Sequence, residues 1–390
     1  MTTMKVLVTI FNPAEFYPPT INAVEYLSEK YKSIELVTHS IDATNQWTFP
    51  ENVRVTYAGK WQTDMAISGH IKNITRFLNY VRIFWKRLKN NQYDVILLYE
   101  PYAALAYMLS SFFVGKRKAL LWYHNHDILE PGGQGKISIG RFASKAEHSI
   151  FNKLSIFSLP SNERKEYFFM DKLKGNYFFI PNYPSKKFYS KFYTKKTPGS
   201  NLRIIYQGRI GEGHGLEEII SLLKEPLNGK QLTLCLKGII EKNYKDALIA
   251  QAEKHNVAGQ VFFYGLTSYK EVPLLASTCD VGIAIHTKTD VMNKTLGTSS
   301  NKIYEYAGLG LPVLLYDNAH FKEHLGKYKW ALFTDCSKQS LQQSLLEIIN
   351  RYEELSSAAF TDFITELNFE SYIEPLINYI EEKHTPTKGK

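Results

Sequence analysis

The chain has 390 residues, which is enough for two domains of ordinary size. Hydrophobic residues make up 44% and charged residues 22%, values that exclude a disordered chain. The net charge of +9 is uneven, because residues 1–196 carry +12 and residues 197–390 carry −3. A basic first half indicates nucleic acid, anionic lipid or a phosphorylated acceptor as a partner, or only a soluble basic surface.

The cysteines and the apolar runs bear on the compartment. Three widely spaced cysteines do not form a disulfide framework or a zinc site, which favours a reducing compartment. The first residues lack the apolar run and cleavage site of a signal peptide, and no apolar run reaches the length of a membrane span. We therefore expect a cytoplasmic protein. A peripheral position on the inner face of the membrane is compatible with this expectation.

Apolar runs of strand length alternate with amphipathic runs of helix length in the first half of the chain. The strands lack polar alternation, which is typical of a parallel sheet covered on both faces. Strands are predicted at 5–11, 33–38, 53–57, 94–99 and 119–123, and helices at 20–31, 71–91 and 102–113.

The same alternation restarts after residue 200. Strands are predicted at 202–206, 231–236, 261–264, 281–285 and 312–315, and helices at 216–223, 244–255, 272–277 and 301–307. The segment between the halves, 186–200, is lysine-rich and contains Pro-Gly, so it is predicted to be a linker. The predicted fold class is α/β, with two Rossmann-like, doubly wound parallel-sheet domains facing across a ligand crevice.

The first candidate motif is the glycine-rich stretch 206–215, which lies between a predicted strand and a predicted helix. Gly208 and Gly213 allow the backbone to approach a ligand closely, and the free amides of the next helix suit phosphate. Arg209 offers a forked cation and His214 a second donor. The alternative is a turn that only connects a strand to a helix.

The second motif is the stretch 297–313, in which Ser300 is a plausible helix N-cap. Asn301 and Lys302 would face an anion at the start of this helix. Glu305 would accept hydrogen bonds from ribose hydroxyls, as the acidic residue of dinucleotide sites does. The alternatives are a solvated carboxylate and a surface lysine.

The third motif is Tyr-His-Asn-His-Asp at 123–127, which follows a predicted strand. His126 and Asp127 are suited to remove a proton from a hydroxyl. Metal binding by His124 and His126 is the weaker interpretation, since this spacing is not a zinc pattern. Glu100, which follows the strand at 94–99, is a further candidate for the acceptor side.

Taken together, these motifs resemble the signature of glycosyltransferase family 4 and its relatives with the GT-B fold. The stretch 297–313 resembles the family's donor-binding Ser-x-x-Lys-x-x-Glu pattern, and Gly208-Arg209 its diphosphate-binding strand end. Residues 261–265 resemble a segment whose backbone lies near the nucleobase. Residues 158–164 and 180–182 resemble the stretch before the linker. The likeness extends over about residues 90–335.

The resemblance implies a transferase that moves a sugar from a nucleotide diphosphate donor, a UDP-sugar in the first place, to a glycan or lipid-linked acceptor in surface polysaccharide or glycoconjugate synthesis. It implies no cofactor and no metal. Residues 1–185 would bind the acceptor, 201–368 the donor, and 369–390 would form a C-terminal helix, crossing back to the first domain, and a tail. The implied donor residues are Gly208, Arg209, Gly213, His214, Gly265, Leu266, Ser300, Asn301, Lys302 and Glu305; the catalytic pair is His126 and Asp127, with Asn12, Glu100 and His124 on the acceptor side.

Three departures from the family pattern concern the site itself. His214 stands where the family has a basic residue, usually lysine, and Gly297 stands where many members have the first of two glutamates. The stretch Phe11-Asn12-Pro13-Ala14-Glu15 replaces the family's N-terminal glycine-rich loop, which points to an unusual acceptor. A non-catalytic protein that binds a nucleotide or an anionic polymer and a UDP-sugar 2-epimerase remain as alternatives; no motif that reads nucleic acid is visible.

The predicted helix 71–91 combines an apolar stripe with many basic residues. Such a helix lies either on an anionic membrane surface or against the sheet with its cations in water. The stripe consists of Ile71, Ile74, Leu78, Val81, Trp85 and Leu88, and the cations are Lys72, Arg76, Arg82, Lys86, Arg87 and Lys89.

Overall fold

The computed structural model of the chain describes residues 2–61, 70–115, 118–128, 138–288 and 295–384, with only the backbone for 70–72. The chain divides into two compact units. The first contains Met1–Pro181 and Tyr372–Lys390, and the second contains Asn182–Ser371. Each unit has one sheet in which all strand pairs are parallel, which confirms the predicted α/β class with a parallel sheet in each domain.

The sheet of the first unit has seven strands in the order β3-β2-β1-β4-β5-β6-β7. The central strand β4 is apolar and buried at every residue, as expected for a sheet covered on both faces. The strands are β1 Thr2–Ile10, β2 Tyr31–Ser40, β3 Val53–Lys60, β4 Val95–Tyr99, β5 Leu120–His124, β6 Ile156–Leu159 and β7 Asn176–Phe179.

The helices of the first unit alternate with the strands, except that β2 leads to β3 and β6 leads to β7 through short 3-10 turns. Two of them begin with a proline in the first turn, where no backbone donor is lost. They are α1 Pro18–Lys30, α2 His70–Asn90, α3 Glu100–Val114 and α4 Ile139–Ile150. The last helix of the chain, α14 Phe369–His384, has most of its length in this unit. Residues 385–390 of the predicted tail lie outside the described residues.

The sheet of the second unit has six strands in the order β10-β9-β8-β11-β12-β13. They are β8 Asn201–Gln207, β9 Gln231–Lys237, β10 Val261–Gly265, β11 Val281–Ala284, β12 Val313–Tyr316 and β13 Ala331–Thr334. The helices are α5 Lys186–Tyr189, α6 Leu216–Leu222, α7 Lys242–Lys254, α8 Val272–Ala276, α9 Leu296–Ser299, α10 Asn301–Gly308, α11 Ala319–Leu325, α12 Lys338–Asn350 and α13 Tyr352–Thr365. None of the helices in the described ranges is long and apolar enough to span a bilayer.

The buried face of α2 differs from the predicted stripe. The structure buries the aromatic residues Phe77, Tyr80 and Phe84 together with Leu88. Of the predicted stripe, only Leu88 is buried; Ile74 and Leu78 are exposed by 45% and 57%, Val81 and Trp85 are partly buried, and the side chain of Ile71 lies outside the described residues. The larger rings bury more apolar area, which favours the rotation that places them inward.

The segment 186–200, predicted as a linker, lies within the second unit. It begins with the short helix α5, which is capped by the Ser185 side chain. Tyr189 is fully buried, and the ring of Tyr193 stacks on Phe360 with 3.6 Å between centroids. These aromatic contacts hold the segment against the unit despite its lysines.

Candidate functional site

In the second unit, the ends of three adjacent strands approach each other closely. Gly208 follows β8, Gly238 follows β9, and Gly265 is the last residue of β10. The Gly238 amide donates to the Gly265 carbonyl at 2.9 Å, and Gly238 has a φ of 136°. A Cβ on Gly238 would lie 1.9 Å from the Gly208 carbonyl oxygen, so only glycine fits there. The sequence therefore brings three backbone turns to one edge of the sheet.

Lys302, in the first turn of α10, lies against the glycine-rich stretch. Its ammonium donates to the Tyr206 hydroxyl at 2.9 Å and lies 4.4 Å from the centre of that ring. A Cβ on Gly208 would lie 3.6 Å from the Lys302 Nζ. Burial lowers the pKa of Lys302 to about 8. A cation is thus held at the end of β8, where the predicted phosphate site requires one.

Two histidines lie beside this lysine. The His214 ring stacks on Tyr206 with 4.8 Å between centroids, and its Nε2 is 3.4 Å from the Tyr206 hydroxyl. His286, two residues beyond β11, contacts His214 edge-on at 4.9 Å. Burial, and next to it the charge of Lys302, lowers the pKa of both histidines, that of His214 to about 3. Both rings are therefore neutral at pH 7.

A second lysine approaches the glycine-rich stretch from the segment after β11. Thr287 donates from its amide to the Gly213 carbonyl at 3.0 Å. A Cβ on Gly213 would lie 3.3 Å from Cγ of Lys288, the residue after Thr287. The Lys288 ammonium is largely exposed and lies 3.9 Å from a Glu212 carboxylate oxygen. Lys302 thus lies beside the beginning of the stretch 208–213, and Lys288 lies beside its end.

Glu305 is buried, one turn inside α10. Its carboxylate accepts a hydrogen bond from the Gln207 side chain at 2.5 Å. Burial raises the pKa of Glu305 to about 7, against the opposing effects of Gln207 and Lys302. The neighbouring Tyr306 hydroxyl accepts from the Gln207 amide at 2.9 Å and donates to the Ile205 carbonyl at 3.2 Å. These bonds fix α10 on β8 and with it the position of Glu305.

Arg209 points away from this cluster. Its side chain is 86% exposed, and its guanidinium lies 3.6 Å from the equally exposed carboxylate of Glu241. An ion pair of this kind contributes little to stability, so the arginine can leave it for a ligand at small cost. Of the predicted phosphate ligands, Lys302 and His214 are together and Arg209 is beside them on the surface.

The other predicted donor residues lie at the same ends of the strands and at the start of α10. Leu266 follows Gly265 and is 58% exposed. Ser300 occupies the N-cap position of α10 without a side-chain capping bond. The side-chain oxygen of Asn301 is buried and has no hydrogen-bond partner among the residues that the structure describes. Whether these residues bind a donor stays a prediction.

Gly297, the position of the missing first glutamate, is enclosed by two histidines. Its amide donates to Nε2 of His320 at 2.8 Å. A Cβ at this position would lie 2.6 Å from the His324 ring and 2.9 Å from His320 Nε2. The space that a side chain at position 297 would need is therefore occupied, and a carboxylate cannot replace this glycine without a movement of these two histidine side chains.

In the first unit, the predicted acceptor-side residues form one cluster, most of which is buried. A Glu100 carboxylate oxygen accepts from the amides of His126 at 2.5 Å and Asp127 at 3.3 Å. Burial raises the pKa of Glu100 well above its usual range, and the neighbouring Asp127 adds to the rise. Glu100 has a φ of 71°, a conformation that is uncommon for a residue other than glycine. Arg164 donates to the His126 carbonyl.

His126 is enclosed, whereas Asp127 is partly exposed. The His126 ring stacks between Tyr17 and Tyr99, with centroid distances of 5.0 and 4.9 Å. Its Nε2 lies 3.0 Å from the Thr20 hydroxyl, and burial lowers its pKa well below its usual range. Burial also raises the pKa of the Asp127 carboxyl, which Arg164 opposes. Of the predicted catalytic pair, Asp127 is the group that a substrate could reach.

Asn12 and His124 lie at the same edge of this sheet in different roles. The Asn12 side chain donates to the Tyr17 hydroxyl at 3.1 Å, and that hydroxyl is also bonded to Asp127. Asn12 is thus connected to Asp127 through one tyrosine. His124 is fully buried, and its Nδ1 lies 2.8 Å from the Ser158 hydroxyl. This contact is typical of a histidine that is part of the protein core.

Several residues of both clusters carried no recognisable signal in the sequence. His286 and Lys288 stand in an ordinary polar stretch after a strand, and Tyr17 in a proline-rich loop. The signal that could have found His286 is its position, because β11 pairs with β8 and polar residues beyond adjacent parallel strands meet at one edge. Glu147, buried beneath the acceptor-side cluster, stands in a helical stretch without a motif.

Comparisons with known proteins agree with this architecture. Residues 191–359 match the family model of group 1 glycosyl transferases. No curated protein matches the chain in sequence. The matched residues lie entirely in the second unit and contain the whole cluster around Lys302.

Several solved structures share the fold over nearly the whole chain. HepE of Anabaena in complex with UDP and glucose has a TM-score of 0.65 at 14% identity, covering 97% of this chain and 100% of that one. Sucrose-phosphate synthase of Thermosynechococcus elongatus has a TM-score of 0.68 at 12% identity, covering 97% and 99%. WaaG, a glycosyltransferase of lipopolysaccharide biosynthesis, has a TM-score of 0.63 at 14% identity, covering 98% and 100%. The chain therefore has the GT-B fold, and its second unit carries the part that matches the group 1 glycosyl transferases.

Proposed function

We propose that the protein is a glycosyltransferase that uses a nucleotide diphosphate sugar, in the first place a UDP-sugar. The observation that carries the proposal is the cluster at the end of β8, where Lys302 lies against Gly208 and His214 stacks on Tyr206, while Glu305 is buried one turn away. Cations and free amides suit the diphosphate, and a carboxylate suits the ribose hydroxyls.

The proposed reaction moves one glycosyl group. The oxygen of an acceptor hydroxyl forms a bond to the anomeric carbon, and the bond from that carbon to the diphosphate oxygen breaks. The hydroxyl proton passes to Asp127 or to the leaving phosphate, and the nucleoside diphosphate departs with its electron pair. Lys302, Arg209 and the start of α10 would stabilise the charge that develops on the diphosphate. With these cations the proposal needs no metal and no cofactor.

The comparisons support the choice of donor. HepE has been solved with UDP and with UDP-glucose, and the matched family transfers glycosyl groups. WaaG takes part in lipopolysaccharide synthesis, which supports a glycan or lipid-linked acceptor and a role in surface polysaccharide or glycoconjugate synthesis. The acceptor would meet the cluster of Asp127, Glu100 and Asn12. The closed position at Gly297 favours a donor sugar held without a carboxylate there.

The first test is thermal stabilisation by a panel of UDP, GDP, ADP, CMP and several UDP-sugars. A ligand that binds only the folded state raises the melting temperature, by an amount that grows with its concentration over Kd. We expect UDP and a UDP-sugar to do so, and Lys302→Met and Glu305→Ala to remove the shift. Arg209→Ala should reduce the shift while leaving the melting temperature without ligand unchanged, because the Arg209–Glu241 pair is exposed.

A matched control is Lys254→Met, since Lys254 is exposed and ends α7, at the opposite end of this helix from the Arg209 partner Glu241. This variant should keep the full nucleotide shift. No shift with any nucleotide at millimolar concentration would contradict the proposal. If the nucleotide sugar binds but is neither transferred to any acceptor nor hydrolysed, the non-catalytic binding protein would be favoured instead.

We further propose that the first unit docks on an anionic membrane surface, where a lipid-linked acceptor would lie. Phe112 and Phe113 at the end of α3 are exposed by 84% and 75%, and Leu78 of the adjacent α2 by 57%. The exposed cations Arg82, Lys86 and Lys89 lie on α2. Apolar side chains together with cations suit the boundary of an anionic bilayer.

Vesicle flotation tests this part of the proposal. We expect binding to vesicles that contain phosphatidylglycerol, weaker binding to pure phosphatidylcholine, and loss of binding at high salt. The double variant Phe112→Ser/Phe113→Ser should lose most of the binding. Phe262→Ser, which changes an exposed phenylalanine of the second unit, should keep it. Equal binding of both variants would contradict the assignment of the surface.

A further inference from the structure

The cluster at the end of β8 contains four basic groups, but only two of them carry a charge at neutral pH. Two cations, Lys302 and Lys288, and two neutral imidazoles, His214 and His286, lie around the stretch 208–215. The His214 and His286 rings are 4.9 Å apart, which is close enough for both to meet the same anionic group. No step of the proposed transfer uses either ring as a base.

Each of these rings has an unused nitrogen. Nδ1 of His214 and Nε2 of His286 are buried and make no hydrogen bond within the described ranges. A buried imidazole nitrogen without a partner is costly, and a ring nitrogen donates to an anion only when it carries a proton. The Tyr206 hydroxyl already donates to the Arg209 carbonyl, so Nε2 of His214 holds the proton of the neutral ring, and Nδ1 can donate to an anion only after a second proton binds.

Burial, and after it the charges around the pair, explains why the rings are neutral before a ligand binds. Lys302 of α10 and Lys288 after β11 disfavour a further positive charge, and Tyr206 of β8 covers one ring face. The nearby carboxylates are engaged elsewhere, since Glu212 faces Lys288 and Glu305 accepts from Gln207. Cys336, whose pKa burial raises to about 12, lies next to Gly215 and adds no charge. An anion placed among the lysines would reverse this balance.

We propose that His214 and His286 form a proton-binding pair that takes up a proton from solution when a nucleoside diphosphate group binds. The proposal rests on the proposed function and adds a regulation to it. Donor affinity then rises as the pH falls, because the bound state holds more protons than the free state. The pair also supplies the charge that a permanent cation at position 214 would carry.

Isothermal titration calorimetry with UDP-glucose tests the proposal. The pyrophosphate of this ligand stays ionised throughout the range of pH 6 to 8, so any proton taken up is bound by the protein. Titrations in buffers of different ionisation enthalpy give the number of protons. We expect net uptake near pH 6.5, and an affinity that increases as the pH falls, by up to about tenfold per pH unit for one proton.

The control is the double variant His214→Gln/His286→Gln, in which Lys302 and Glu305 still titrate. The difference in proton uptake between the wild type and this variant is the share of the two imidazoles. The variant His214→Lys should bind UDP-glucose with little uptake and a flatter pH dependence, which also covers a double variant that fails to fold. Equal uptake by the wild type and the His214→Lys variant would overturn the inference while leaving the proposed function intact. No binding of UDP-glucose or of any other nucleotide of the panel by the wild type at any pH would overturn both.

Discussion

At the scale of single residues, the protein buries carboxyl groups beneath both of its polar clusters. Glu305 lies below the cluster around Lys302 at the end of β8, the donor-side cluster, and Glu147 lies below the acceptor-side cluster. Burial raises the pKa of each to about 7. The Glu147 carboxylate accepts from the Tyr123 hydroxyl and from the Asn125 side chain at 3.1 Å. These hydrogen bonds oppose the rise but do not cancel the cost of removing a charge from water.

The pH dependence of stability follows from the pKa of Glu147. The folded value of about 7 exceeds the ordinary 4.5, so the folded state binds the proton more tightly between these values. The free energy of unfolding contributed by this group therefore falls as the pH rises from about 4.5 to about 7. We expect Glu147→Gln to gain stability relative to the wild type over this window, by at most about 3 kcal/mol.

Urea unfolding followed by tryptophan fluorescence measures this difference, because four of the five tryptophans lie in the first unit. The control is Glu51→Gln, which changes an exposed glutamate of the same unit. Its stability difference from the wild type should not vary with pH. If the difference for Glu147→Gln were equally flat, the carboxyl would not be held protonated by its surroundings.

At the scale of secondary-structure elements, the donor-side cluster depends on how α10 is attached to β8. Tyr306 makes the attachment, with one hydrogen bond from the Gln207 amide and one to the Ile205 carbonyl. The ring packs where Gly282 of β11 has no side chain, since a Cβ there would lie 2.3 Å from it. Lys302 and Glu305 take their positions from this helix.

Tyr306→Phe should weaken both stability and donor binding. The change leaves the buried Gln207 amide without its acceptor, which costs about 1–3 kcal/mol. The loss in UDP-glucose affinity would follow from a less firmly held α10. Tyr316→Phe, at a partly buried tyrosine of β12 in the same unit, should change stability by less than about 0.5 kcal/mol.

Thermal unfolding and calorimetric titration of the two variants provide the comparison. Unchanged stability in Tyr306→Phe would mean that the amide finds another acceptor, and the attachment of α10 would then rest on packing alone.

A pair of alanine variants can test which face of α2 is buried. Phe84 is fully buried, whereas Leu78 is 57% exposed. We expect Phe84→Ala to lower the free energy of unfolding by about 3–5 kcal/mol and Leu78→Ala to change it by less than about 0.5 kcal/mol. Urea unfolding of the two variants checks this, and the reverse order of effects would restore the stripe that the sequence predicts.

At the scale of the whole molecule, the first unit is completed by residues that follow the second unit in the chain. The helix α14 contributes buried Ile373, Leu376, Ile377 and Ile380, and its Glu374 accepts from Lys30 at 3.0 Å. The ring of Tyr379 lies 5.5 Å from Phe178 of β7. The stability of the first unit therefore depends on residues at the far end of the chain.

Ile377→Ala should destabilise the first unit selectively. Removal of a buried isoleucine side chain costs about 2–5 kcal/mol. Hydrogen exchange measured by mass spectrometry should show faster exchange in residues 2–181 and little change in 182–371. Leu345→Ala, which changes a buried residue of α12 in the second unit, should give the opposite pattern. Equal loss of protection in both units by either variant would mean that the chain unfolds as a single cooperative body.

The sequence by itself determined the fold class and the neighbourhood of the donor-side cluster. Strand and helix periodicity is local, and so is the sequence of a glycine-rich turn or of a helix start, so both can be read without knowledge of the fold. Lys302, Glu305 and Gly208 were named on that basis, and the structure brings them to one edge of the sheet. Their roles in binding stay predictions.

Only the tertiary structure decided which residues complete each cluster. His286 joins His214 because β11 lies beside β8, although about 70 residues separate them in the chain. Arg209 faces solvent and Gly297 is enclosed by histidines, and neither follows from the motif that contains it. The face of α2 was settled by the burial of its aromatic rings. Strand order and side-chain packing are long-range properties, and a local pattern does not contain them.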